Sequence, residues 1–436
     1  MKKSSKKTLP PVTVEEAPYT LPEGWKWVRL GELCTLFRGV SYKKQDAHTI
    51  AKKNDCLILR GGNIKEGIIT FADDDVYVDK SLVNADQYLH KNDVVIVAST
   101  GSLKVIGRAG TSKQDYSNVA FGAFLLIARA NDFVYAPYFS LFFQSMQYRE
   151  KIRSLVSGVN INNIRAAYIT NMEFPLPEID TQIGLVDTVN ALFSKLDEAE
   201  EKIDQALAAF PARRAALLHR AFQGDLTKEW RKEHGVGMET WSNKNLASMC
   251  HSLKYGTAKK SEKQGKVAVL RMGNLQNGEI DWENLVYTED ADDIAKYQLF
   301  PGDVLFNRTN SPELVGKTSI YRGERPAIYA GYLIKLDYDR NVLIGDFLNY
   351  VLNSPDAKAY CMHVKSDGVS QSNINAKKIG AYEIPVPSLP EQQEIVRLLG
   401  GLLAKEDKAK ALAASMKENI ARLRAAILAR AFRGAL

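Results

Sequence analysis

No apolar run in this sequence approaches the roughly 20 residues that a membrane-spanning helix needs. Cysteine is scarce. Cys34, Cys56, Cys250 and Cys361 stand without CxxC spacing. Cys250-His251 and Cys361-Met362-His363 supply two donors apiece, too few for a four-ligand zinc site, so no metal is expected. That usage fits a reducing compartment, and the expected location is the cytoplasm. The basic opening "MKKSSKKTLPP" is not followed by an apolar stretch, which argues against a signal peptide and for a flexible basic tail over residues 1–20.

Catalytic signatures are missing as well. Gly316-Lys317-Thr318 has the last three letters of a P-loop, but Ser311 and Pro312 stand where the leading glycine belongs. "HGVGM" (234–238) has neither a preceding strand nor a third glycine, so it makes no dinucleotide fingerprint. No Asn-Pro-Pro-aromatic run of the kind amino-methyltransferases use occurs, and none of the six histidines sits at a recognisable spacing from a nucleophile. The chain is expected not to be an enzyme by itself. Its net charge of +7 permits nucleic-acid binding without demonstrating it.

What the sequence does have is itself, twice. Residues 157–226 slide by 210 positions onto 367–436 without a gap, with about a third of the positions identical. Gly158-Val159 meets Gly368-Val369, "EFPLP" (173–177) meets "EIPVP" (383–387), Gln182 meets Gln392, and "RAFQGDL" (220–226) meets "RAFRGAL" (430–436). Upstream the match is fainter. "RGGNIKEGIITF" (60–71) resembles "RMGNLQNGEIDW" (271–282), "NDVVIVASTGSLKVIGRAG" (92–110) resembles "GDVLFNRTNSPELVGKTSI" (302–320), and "WKWVRLGELC" (25–34) corresponds with "WSNKNLASMC" (241–250). Each half therefore holds a strand-rich mixed domain of short β-branched runs and Gly, Asn and Asp turns. A helical segment follows the Pro-x-Pro of each copy. Ala413, Met416, Ile420, Leu423 and Ile427 step as a coiled-coil seam, and Leu196, Ile203, Phe210 and Leu217 lie seven apart. Forty such residues span roughly 60 Å. Pro211 is expected to kink or interrupt the first helix. Neither stripe can bury itself alone, so the two helices are expected to pack together, antiparallel. The polar stretch "TKEWRKEHGVGMETW" (227–241) reads as the linker between halves.

The order of these motifs, duplicated at a fixed spacing, resembles the specificity subunits of type I restriction-modification systems. The resemblance covers nearly the whole chain. It rests on "LPEGWKWVRLGEL", on "GVNINNI…FPLPEIDTQ" with "GVSQSNI…IPVPSLPEQQEIV", and on the two "RAF" endings. It implies an α+β fold: two similar strand-rich mixed α/β target recognition domains in pseudo-twofold arrangement, separated by two long helices forming an antiparallel coiled coil. The implied boundaries are a tail over 1–20, recognition domains over 21–177 and 241–387, spacer helices over 178–226 and 388–436, and a linker over 227–240. It further implies a non-catalytic reader of a bipartite, asymmetric double-stranded DNA site. Two modification subunits using S-adenosylmethionine would dock on it, and through them restriction subunits using ATP and Mg2+. A methylation-only system, another restriction class, or a coiled-coil protein-binding scaffold are the alternatives.

The same resemblance gives the polar loops a task, since Arg reads guanine, Asn and Gln read adenine, and Lys, Ser and Thr hold phosphates. The first domain offers Lys43, Lys44, Arg60, Ser99, Thr100, Ser102 and Lys104, and the second Lys259, Lys260, Arg271, Arg308, Thr309, Asn310 and Lys317. The repeated Asn160, Asn162 and Asn163, with Ser370, Gln371 and Asn373, form the remaining candidate loop. Each residue also has a plain reading, because Asn and Ser make turns without any ligand and single lysines are commonly solvated.

Overall fold

The computed structural model describes residues 9–71, 75–156, 162–369 and 371–436, with Asn162 described by its backbone only. By contact, the chain divides into two compact units, 1–203 with 415–436, and 204–414. Each unit contains one globular domain, the first part of the long helix that follows it, and the last part of the other long helix.

Both globular domains are built on one plan. In the first, an antiparallel sheet runs in the order Cys34–Arg38, Leu125–Ala130, Val94–Val97, Ala109–Thr111. A second sheet places Asp55–Leu59 between Val76–Asp79 and Val119–Phe121, the last of these parallel. In the second domain the orders are Cys250–Tyr255, Leu333–Tyr338, Val304–Asn307, Thr318–Ile320 and Val286–Thr288, Val267–Leu270, Ala327–Tyr329, again with one parallel pair. The run Val94–Val97 explains the layering. Every residue is buried, and alternate side chains face opposite ways. Val94 and Ile96 enter the core shared with the helices, while Val95 and Val97 enter the core under the second sheet. Val304 and Phe306 divide from Leu305 in the same manner.

The closing motifs then become legible. Glu173–Leu176 pairs with Lys26–Arg29, and Glu383–Val386 pairs with Ser242–Asn245, with Trp27 opposite Pro175 and Asn243 opposite Pro385. The strand at Ser242–Asn245 is thus the counterpart of Lys26–Arg29, although only Trp25/Trp241, Leu30/Leu246 and Cys34/Cys250 are identical between "WKWVRLGELC" and "WSNKNLASMC". Two long helices follow, Ile179–Phe222 and Leu389–Phe432. A buried glutamine ties each to its own domain. Gln182 accepts from the Tyr135 N–H (2.8 Å) and donates to the Pro177 carbonyl (2.8 Å). Gln392 accepts from the Ile344 N–H (2.9 Å) and donates to Val342 and Pro387 (both 2.9 Å).

At its far end each helix enters the other unit's core. Phe432 packs 5.2 Å from Tyr138 and 5.5 Å from Phe142, beside buried Leu428 and Ala431. Phe222 meets Phe347 edge-on at 5.6 Å, beside Leu218 and Ala221. Glycine stops both helices. Gly224 (φ 80°) and Gly434 (φ 65°) take the left-handed conformation, and the Asp225 and Ala435 N–H groups turn back to the Arg220 and Arg430 carbonyls at 3.0 and 2.9 Å.

Within each unit the helix segments run antiparallel. Arg424 meets Asp197 and Glu200 in one, while Arg213 meets Glu406 (3.0 Å) and Arg214 meets Asp407 (3.5 Å) in the other. The expected seam needs correction on the second helix. Ile420 is buried, but Met416 and Leu423 are half exposed. Arg424, one position on, lies with its guanidinium 5.3 Å over the Phe193 ring, so ion pairing and ring contact there displace the leucine from the seam. Nor does Pro211 interrupt the first helix, which runs unbroken from Ile179 to Phe222.

The segments read as linker and tail are also held. Lys228–Glu233 is a helix whose Arg231 is buried. Fully buried Glu391 accepts from Arg231 (2.7 Å), the Thr227 hydroxyl (2.7 Å) and the Trp241 indole (2.9 Å), and Arg231 also donates to the Gly224 carbonyl (2.8 Å). Of the tail, Glu16 pairs with buried Arg29 at 2.6 Å and the Tyr19 hydroxyl donates to the Phe432 carbonyl at 2.9 Å. Residues 1–8 lie outside the described residues.

Phe432→Ala is expected to cost about 3–5 kcal/mol, the range for removing a buried phenyl, whereas Leu423→Ala costs under about 1 kcal/mol. Urea unfolding of the two variants measures the difference. Glu391→Ala strands a buried guanidinium and is expected to cost a further ~3–5 kcal/mol in the same assay. An unchanged midpoint would mean that Arg231 finds another partner.

Candidate nucleic-acid interface

Where the central strand of each domain leaves the core, its side chains turn polar. Ser99–Thr100 follows Val94–Val97 and pairs antiparallel with Asn162–Asn163, Ser99 opposite Asn163. Thr309–Asn310 follows Val304–Asn307 and pairs with Ser372–Asn373, Thr309 opposite Asn373. The register is the same in both domains under the 210-residue shift. Two groups of candidates some sixty residues apart in sequence therefore come together. Ser366–Asp367 extends the ribbon in the second domain. Asn160 and Ser370 lie outside the described residues.

Some of these side chains are already committed. The Asn373 amide donates to the Thr309 hydroxyl (2.8 Å), and its oxygen accepts from Arg308 (3.1 Å). Arg308 also donates to the Gly331 carbonyl (3.3 Å) and lies 4.8 Å over the Tyr255 ring. These three residues organise the ribbon. Asn163 and Gln371 are exposed and Asn310 is half-buried. Ser102 and Lys104 are exposed on the turn that follows in the first domain, and Lys317 on the matching turn donates to the Gln276 oxygen at 3.0 Å.

A cation beneath each turn escaped the sequence reading. Buried Arg149 donates to the Ile106 (2.7 Å) and Lys104 (2.9 Å) carbonyls. Lys358 donates to the Gly316 carbonyl at 2.7 Å, and burial holds its ammonium down at about 8. Both satisfy carbonyls that a loop would otherwise leave to water. The same contact accounts for Gly316-Lys317-Thr318, a strand-entering turn with Thr318 buried in the sheet rather than a phosphate cradle.

A second loop carries Arg60 and Arg271. Buried Asn63 accepts from the Arg60 N–H (2.8 Å) and donates to the Thr70 carbonyl (3.0 Å), while buried Asn274 accepts from the Arg271 N–H (2.9 Å) and donates to the Asp281 carbonyl (3.0 Å). These asparagines were visible only as turn letters, yet they set the loop. Arg271 itself donates to the Asn284 carbonyl at 2.6 Å, and Arg60 is exposed. Beside each arginine stands an exposed aromatic, Phe124 at 70% and Tyr332 at 49%. Their carbonyls accept from the Ser99 (3.1 Å) and Arg308 (3.0 Å) N–H groups, which ties them to the polar ribbon. A cleft of about 290 Å³ joins Phe124 to Ser41, Tyr42 and Arg60, and one of about 400 Å³ joins Tyr332 to Arg271, Met272 and Asn284.

The lysines divide. Lys43 and Lys44 are exposed at a one-turn helix, where the Lys43 N–H donates to Asp46 (3.0 Å). Lys259 is already paired with Asp290 (2.6 Å) and Asp293 (3.5 Å), and the Asp290 hydrogen bond raises its pKa. Exposed Lys260 beside it has no ion pair among the described residues. Both lysine segments leave their sheets at glycines pressed on a neighbouring backbone. A Cβ on Gly39 would lie 2.1 Å from the Gly122 carbonyl, and one on Gly256 2.1 Å from that of Tyr329.

Exposed donors and acceptors on a braced backbone, flanked by cations and one aromatic, suit recognition of phosphates and base edges. Thiol chemistry is poorly served. Burial pushes the Cys34 and Cys250 thiols up to about 12 and those of Cys56 and Cys361 to about 11, away from the reactive thiolate. Among the described residues no three His, Cys, Asp or Glu side chains are grouped to hold a metal ion, and no helix is long and apolar enough to cross a membrane.

Comparison with known proteins agrees with this construction. The family model described as the type I restriction modification DNA specificity domain matches twice, at residues 22–209 and 238–412. The chain is 30% identical to the type I restriction enzyme StySPI specificity subunit of Salmonella potsdam over 95% of its own length and 90% of that protein. It is 29% identical to the EcoKI specificity subunit of Escherichia coli K12, with the same coverage. The HsdS subunit of Thermoanaerobacter tengcongensis shares the fold at a TM-score of 0.62 and 20% identity, over 97% of this chain and all of that one. A chain solved in work on complex assembly and conformational transition of the type I R-M system does so at 0.73 and 19%, over 96% and 100%. This chain belongs to the type I restriction-modification DNA specificity family, with two target recognition domains.

Proposed function

We propose that the chain is the non-catalytic DNA reader of a type I restriction-modification complex, recognising a bipartite, asymmetric site with the domains at 21–177 and 241–387. One observation carries this: the same strand register places Ser99 and Thr100 in one domain where it places buried Thr309 and half-exposed Asn310 in the other. A duplicated scaffold with unlike side chains at matching positions is what reading two different half-sites requires. The two long helices set the distance between half-sites, and their outer faces dock two modification subunits, which methylate adenine with S-adenosylmethionine. Restriction subunits, with ATP and Mg2+, join through that core in the cytoplasm.

Within each reader the candidates take distinct tasks. Lys43, Lys44, Lys104 and Lys260 hold phosphates. Arg60, Asn163, Asn310 and Gln371 face base edges, with Ser99, Thr100 and Ser102 as shorter contacts. Arg271, Arg308, Thr309, Lys317 and Asn373 position the loops, and Lys259 is largely neutralised by its aspartates.

Exchanging residues 21–175 for another recognition domain, in the assembled complex, is expected to change half of the methylated site and leave the other half intact. Mapping methylated adenines reads the outcome, and simultaneous loss of both halves would contradict two independent readers. Lys104→Ala is expected to weaken DNA binding evenly across sequences and to reduce the slope of log affinity against log salt by about 1. A change of sequence preference instead would make Lys104 a base reader.

A further inference from the structure

In the second unit a cleft of about 520 Å³ lies where the first long helix ends, lined by Phe222, Gln223, Trp241, Asn243, Asp356 and Glu383 among others. The first unit has the same place, and there a side chain fills it. Strand register makes Asn243 the counterpart of Trp27, since Asn243 lies opposite Pro385 as Trp27 lies opposite Pro175. Helix caps make Asp356 the counterpart of Gln147. The Ser354 and Ser145 hydroxyls accept from the Ala357 and Tyr148 N–H groups, both at 3.2 Å, and the two residues in question directly precede these donors. Phe222-Gln223 and Phe432-Arg433 end the two helices.

Tyr19 occupies the first-unit position. Its hydroxyl donates to the Phe432 carbonyl (2.9 Å) and lies 3.2 Å from the Gln147 oxygen. Its ring stands edge-on to Trp27 at 5.0 Å, and the Arg433 guanidinium lies 5.0 Å over it. The counterparts of all four neighbours line the second cleft. Tyr19 itself has none. Six residues before Trp25 is Tyr19, and six residues before Trp241 is Gly235. Fold duplication has kept the socket and lost the plug.

The second socket has also changed charge. Gln147 has become Asp356, which faces His219 at 3.4 Å, and Arg433 has become Gln223. Glu173, held by Arg29 (3.4 Å) and Lys151 (3.3 Å), has become Glu383, which is exposed and has no ion pair among the described residues. The C-terminal carbonyls of the helix add partial negative charge.

We infer that this cleft is a docking socket for a tyrosine flanked by Lys or Arg on a partner polypeptide, the tyrosine standing where Tyr19 stands in the first unit. The partner is the modification subunit, a step that rests on the assembly proposed above. The incoming hydroxyl donates to the Asp356 carboxylate or the Phe222 carbonyl, and the flanking cation faces Glu383.

The test uses full-length chain and purified modification subunit. Asp356→Arg is expected to weaken binding of one modification subunit by about 30-fold, as loss of a central anchor does, and to leave the other unaffected. Placing p-benzoylphenylalanine at exposed position 243 is expected to give a photo-adduct on a tyrosine-bearing, basic peptide of the modification subunit. This second arm does not depend on how the charge reversal folds. Wild-type affinity for both subunits in Asp356→Arg, or an adduct confined to the chain itself, overturns the socket while leaving the assembly standing. If the unaltered chain binds no modification subunit, the assembly reading falls and the socket's partner with it.

Discussion

Each globular domain depends on an aromatic ring delivered from another part of the chain. Tyr138, Phe142 and Phe174 surround a space that Phe432 fills, and Phe347 packs on Phe222. Without those rings the cores would hold cavities the size of a phenyl group, worth several kcal/mol each. The long helices are therefore not appendages. Each begins pinned by a buried glutamine to one domain and ends as part of the other unit's interior. Between those ends burial is uneven: Ile203 and Phe210 of the first helix are buried, while Leu412, Met416 and Leu423 of the second are exposed.

The helix ends are where the two halves differ most in how they solve one problem. In the second unit the chain continues past Gly224 through a short helix, and buried Glu391 gathers Arg231, Thr227 and Trp241 into a satisfied network. A buried carboxylate is tolerable only with such partners. In the first unit the peptide that arrives beside the helix end is the N-terminal segment. Pro22 crowds Gly434 as Met238 crowds Gly224, so that a Cβ would meet the proline ring at 2.5 Å in one case and the methionine sulfur at 2.7 Å in the other. Glu16, Arg29 and Glu173 supply the ion pairs there. One junction is made through a continuous backbone and the other by contact.

What the sequence disclosed follows from this division. "RAFxG", Gln182/Gln392 and the Pro-x-Pro strands repeat closely because each has a geometric duty that few residues can perform, whether a left-handed cap, a bridging amide or a core ring. Those letters therefore carry the family resemblance. Periodicity was a weaker guide on the second helix, since an arginine with a long apolar stem can hold a seam position that a leucine was expected to take. Charge letters were weaker still. Lys259 reads as a free cation in sequence and is spent on Asp290 and Asp293 in the fold. Asn63, Asn274, Arg149 and Lys358 were illegible because their partners are chiefly backbone carbonyls and N–H groups, which leave no trace in composition.

The same distinction bears on how such a scaffold can change specificity. In both domains the backbone of the polar ribbon is held from behind, by Arg149 or Lys358 on its turn and by an asparagine in the neighbouring loop. Those groups make their bonds whatever stands at the exposed positions. Substitution at Asn163 or Gln371 then alters the donors and acceptors offered to a ligand while the backbone that presents them stays in place, whereas the Asn310 oxygen also accepts from the Ser311 N–H at 2.8 Å. Substitution at Asn373 would do more, because its amide joins Arg308 and Thr309 and its loss would leave a half-buried guanidinium short of a partner. Rigidity beneath and variability above are separable in this fold because different residues carry them. That separation allows one architecture, written twice in a single chain, to present two unlike surfaces.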